Sequence, residues 1–169
     1  MESTKKKALK RLKDIGKEIT LLRNSIALLE WDQETYMPPL AIEERSRQLS
    51  LLQTIIHEKS ISNETGDLLS DLEADKDLPA GDDSLSFVDR ALVRETFRDY
   101  TRLKKLPTRL VSELARQTSI AQNVWVQARE QKDFSVFAPK LGDLLTLIKE
   151  KVSALGYTDH PYDPLLDEY

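Results

Sequence analysis

A helix that grips zinc for peptide hydrolysis needs two imidazoles one turn apart and a carboxylate beside them, the pattern His-Glu-x-x-His, in which the Glu serves as general base. His57-Glu58-Lys59-Ser60-Ile61 begins that way and fails at its fifth position, where Ile61 stands. The other histidine, His160, lies near the end of the chain, so no local imidazole pair exists and His57 reads as a solvated helix-end residue. Asp71, Glu73, Asp75 and Asp77 set carboxylates at alternate positions, as a calcium loop does, but such a loop wants Gly sixth and Glu twelfth. Lys76 and Asp82 occupy those places, and a solvated acidic connection is the better reading. Arg90, Arg94, Arg98 and Arg102 repeat every fourth residue and share one helix face, a stripe that could hold phosphates. Base-stacking aromatics are not interleaved with them, and residues 62–89 carry nine acids against one lysine. Pairing with acidic neighbours is therefore expected, and nucleic acid is not. Trp125 and Arg129 stand one turn apart, the spacing of a guanidinium over an indole. Adjacent carboxylates such as Glu43 and Glu44 point apart on a helix and form no acid/base couple.

The elements that carry these residues are helical. With 40% hydrophobic and 32% charged residues, five glycines and no cysteine among 169 residues, the composition favours an all-α fold and removes thiolate chemistry and disulfides. A net charge of −4 implies neither a nucleic-acid nor a membrane partner. No stretch approaches the ~20 apolar residues of a membrane span. Leu12, Ile15, Ile19, Leu22, Ile26 and Leu29 recur at three and four and mark a first helix over about 5–30. Its stripe is expected to pack within the chain rather than in a coiled-coil dimer. Further helices are predicted over about 39–59, 62–73, 84–105, 107–130 and 138–155, giving about six antiparallel helices in one region. Ser62 and Asp133 are candidate caps and Gly156 a C-terminal stop, with an acidic loop over 74–83 and a tail over 157–169. Between the first two helices lies Glu30-Trp31-Asp32-Gln33-Glu34-Thr35-Tyr36-Met37-Pro38-Pro39, read as a turn. A plain reversal would be short, polar and Gly-rich. This one carries two aromatics beside Asp32 and Glu34, so something is packed or bound there.

The same landmarks, in order, resemble the N-terminal part of the thermostable carboxypeptidase Taq family of zinc metallopeptidases. The resemblance rests on Leu28 to Pro39 followed by Arg45, then Leu106-Pro107, Trp125-Val126-Gln127-Ala128-Arg129, Asp133-Phe134 with Phe137 and Pro139, and Tyr162 to Tyr169. The chain departs from the family at Pro164 and in the acidic loop. The resemblance implies a mostly helical, often homodimeric cytoplasmic enzyme that removes residues from peptide C-termini with broad preference. Its zinc is bound by a His-Glu-x-x-His helix and a further Glu, all lying beyond the point that corresponds to Tyr169. A fragment without catalytic, cofactor or metal residues of its own is the expectation, zinc belonging to the full-length enzyme and the missing catalytic half being the partner. Peptide substrate then enters only in that full-length context. Trp31, Asp32, Tyr36, Met37, Pro38 and Arg45 match the family's first motif and are expected to fix helix packing or line a groove; Trp125 and Arg129 match a later one. If Trp31 is core, Trp31→Ala should cost ~3–5 kcal/mol. The alternative is a self-standing helical interaction module.

Overall fold

No proline precedes Pro38, and the first helix runs to Thr35, carrying Gly16 in its interior. A computed structural model of the chain describes residues 2–74 and 85–166. It contains α1 (Glu2–Thr35), a 3-10 turn (Pro39–Ala41), α2 (Ile42–Ser60) and α3 (Asn63–Asp71). These are followed by α4 (Phe87–Leu103), α5 (Thr108–Gln131), a second 3-10 turn (Phe134–Val136), α6 (Ala138–Leu155) and a short α7 (Asp163–Leu166). The fold is all-α, with no strand among the described residues. Most of the acidic loop, including Asp75, Asp77, Asp82 and Asp83, lies outside them, as do Ser84 and the last three residues.

Helix ends follow local chemistry. Ser62 Oγ accepts the Thr65 N–H at 3.1 Å at the start of α3, and Ser86 Oγ accepts the Asp89 N–H at 3.1 Å, so α4 begins at Phe87, three residues after the expected start at 84. Asp133 accepts from the Ser135 N–H at 2.9 Å. Gly156, at φ 77°, stops α6, and its N–H reaches the Val152 carbonyl at 3.0 Å. Lys132, at φ 54°, ends α5 in the left-handed region without a glycine, a stop that composition alone does not signal.

The spacing reads as one region; the packing resolves into two compact units. Unit 1 comprises residues 1–22 and 56–105, and unit 2 comprises 23–55 and 106–169. In unit 1, Ala8, Leu12, Leu69, Leu72 and Val93 form a closed core against which Phe97 and Tyr100 pack. Val93, Phe97 and Tyr100 lie four and three residues apart, so the inward face of α4 runs through them. Val88 and Leu92, apolar residues of the same helix, are 72% and 37% exposed. The arginine stripe of α4 pairs in part with Glu95, which Arg94 reaches at 3.0 Å and Arg98 at 3.6 Å. Gly66 faces the Tyr100 ring closely: a Cβ there would stand 2.5 Å from the phenol oxygen and 3.2 Å from Cζ. Alanine gains about 1 kcal/mol of helix propensity over glycine, but overpacking costs about 1–3 kcal/mol. Gly66→Ala should therefore lose about 1 kcal/mol, and Tyr100→Phe, which removes the nearest atom, should offset much of that loss in a double-mutant cycle by urea denaturation.

Ion pairs tie the outside of unit 1. Arg11 meets Glu64 at 2.6 Å, Lys59 meets Glu18 at 2.6 Å and Lys13 meets Asp89 at 2.5 Å. Hydrogen bonds from Lys59, Arg11 and Lys13 respectively hold the Glu18, Glu64 and Asp89 carboxyls below their usual range. Folded values that lie below unfolded ones stabilise fully above the unfolded pKa, about 4, and the contribution vanishes as pH falls through the folded values. Melting temperature should decline as the pH drops below about 4, and the Glu64→Gln variant should show a shallower acid slope by circular dichroism.

Candidate functional site

Of the stretch read as a turn, Glu30–Thr35 continues α1 and Tyr36–Pro38 form the non-helical connection. Nothing from Glu30 to Thr35 breaks a helix, and Thr35 Oγ1 bonds back to the Trp31 carbonyl at 2.7 Å. The stop comes from Pro38, which disfavours helical backbone at Met37. The Tyr36 and Met37 N–H groups both donate to the Asp32 carbonyl at 2.9 Å. Pro39 then opens the 3-10 turn that delivers the chain to α2.

Arg45 holds this junction together. It is 9% exposed and donates to the Leu29 carbonyl, to the Asp32 carboxylate at 2.5 Å and to Gln48 at 3.3 Å. One guanidinium thus adds a second bond to a carbonyl inside α1 and pairs with a carboxylate three residues further along the same helix. Ser46, wholly buried, bonds the Glu43 carbonyl at 2.7 Å, and Ser50 meets the Ser112 carbonyl and hydroxyl at 2.9 Å each. Ser50 thus ties α2 to α5, a small polar residue in the sequence whose signal is masked by the apolar stripe beside it.

On the other side of the α1 terminus, an amide network joins α1 to α5. Gln33 Nε2 donates to the Ser119 carbonyl at 3.1 Å and to Gln122 at 2.9 Å, the Ser119 hydroxyl donates to Gln33 at 2.7 Å, and Gln122 donates to Glu34 at 2.6 Å. None of Gln33, Ser119 and Gln122 stands out by composition or spacing. Two shallow clefts of about 350 Å³ each share Glu34 and Gln122 in their walls, one reaching Trp125 and the other Glu30. Burial, then the Glu34 charge, pushes the Glu30 carboxyl above its usual value.

Trp31 and Tyr36 are not core residues. Their rings meet edge to face, with centroids 5.5 Å apart and planes at 66°, while 54% and 75% of the two residues stay exposed. Half-burial of a large side chain and one aromatic pair together contribute about 1–2 kcal/mol. Trp31→Ala should therefore cost about 1–2 kcal/mol in a denaturant titration, below the 3–5 kcal/mol of a core tryptophan. Met37 is partly buried and Pro38 exposed. Arg129 lies 4.7 Å over the Trp125 ring, as their spacing predicts, and Trp125 is 42% exposed.

The expectation for His57 is corrected: it is buried, at 2% exposure. α2 continues past it to Ser60, and it falls on the helix face that Ser46 and Ser50 begin. His160 lies in the exposed tail, where its Nδ1 accepts the Tyr162 N–H at 3.1 Å. Among the described residues no three His, Cys, Asp or Glu side chains converge to hold a metal ion, so this donor set does not fit a zinc site. No described helix is long and apolar enough to cross a membrane.

The helices and their order are those of helical carboxypeptidases. A Pyrococcus furiosus carboxypeptidase structure superimposes with a TM-score of 0.71 at 30% identity, covering 96% of this chain and 31% of that one. The BsuCP crystal structure gives a TM-score of 0.89 at 29% identity over 96% of this chain and 32% of its own. In sequence, the chain is 34% identical to thermostable carboxypeptidase 1 of Thermus thermophilus, an alignment covering 98% of this chain and 34% of the relative. The family model for the carboxypeptidase Taq (M32) metallopeptidases matches residues 11–169, and the chain belongs to that family. It spans about a third of the length of these relatives and corresponds to their N-terminal region.

Proposed function

We propose that these helices are the N-terminal portion of a broad-specificity metallocarboxypeptidase that hydrolyses C-terminal residues from peptides, and that they are inactive alone. Family membership over residues 11–169, together with coverage of a third of the relatives' length, carries the reading. The zinc and its His-Glu-x-x-His helix belong to the remaining two-thirds of such an enzyme, a cytoplasmic homodimer when whole. Trp31, Asp32, Tyr36, Met37, Pro38 and Arg45 then serve packing against that catalytic portion, with Arg45 and Asp32 fixing the turn and the aromatics meeting the partner. The clefts beside Trp125 and Glu34 are the groove candidates on this side.

The test is release of C-terminal amino acids from short peptides. The 169-residue chain with added zinc should show no turnover, and mixing it with the polypeptide that follows the matched region in the Thermus relative should restore chelator-sensitive turnover. Turnover by the chain alone would overturn the reading.

A further inference from the structure

We draw no further inference here: the strongest candidate, the cleft of unit 2 where the Glu30 and Glu34 carboxylates stand beside Ile26 and Leu49, is an acidic pair with no second observation pointing to a ligand, and it belongs to the groove already described.

Discussion

Arg45→Ala should lower stability by about 2–3 kcal/mol, roughly 5–10 °C in melting temperature for a chain of this size. Removing one partner of a buried ion pair typically costs about 3–5 kcal/mol. The lower figure applies here because the Asp32 side chain is 37% exposed and regains water, whereas that of Arg45 is only 10% exposed. The substitution also removes the guanidinium's bond to the Leu29 carbonyl, which keeps its helical bond within α1. Arg45→Lys keeps the charge but cannot reach both acceptors with one planar fork, so it should recover less than half of the loss. In a cycle with Asp32→Asn, a coupling energy near zero would show that the pair contributes nothing beyond its separate members.

Leu72→Ala is the second large effect, about 3–4 kcal/mol by chemical denaturation. Leu72 is 1% exposed and sits at the C-terminal cap of α3, where its N–H bonds the Leu68 carbonyl at 3.1 Å. Its neighbours Ala8, Leu12, Leu69 and Val93 come from three separate helices, which limits how far the site can collapse into a cavity. Native-state hydrogen exchange should place the loosening in residues 1–22 and 56–105, because the lost packing belongs to that unit. Uniform loosening across both units would contradict the division.

Much of this was readable from residues alone, for identifiable reasons. The α1 stripe is legible because Leu12, Ile15 and Ile26 keep helical spacing and are all buried. The caps at Ser62 and Asp133 and the stop at Gly156 are legible because each uses a side chain or backbone freedom peculiar to its residue type. The Trp125 and Arg129 contact follows from i, i+4 geometry.

What escaped depends on packing. Aromatic and acidic content made all of residues 30–39 look like a turn, although the first six continue α1 to Thr35 and the break comes only with Pro38. The burial of His57 is decided by which face of α2 turns inward, and Arg45, Ser46 and Ser50 make that face more polar than its leucines and isoleucines suggest. The Gln33, Ser119 and Gln122 network spans more than eighty residues of sequence, and no local pattern encodes it. Val93 was hidden by more prominent apolar neighbours that face solvent.

The division of the chain sets a timetable for its birth on the ribosome. Everything that seals the Leu12, Leu72 and Val93 cluster has been translated once residue 105 has emerged, whereas residues 23–55 must wait for α5 and α6. At about 5–20 residues per second, that wait lasts seconds, long enough for the earlier unit to settle while the later one still lacks its mates. Through that interval the tryptophan-bearing end of α1 is a nascent surface open to chaperones.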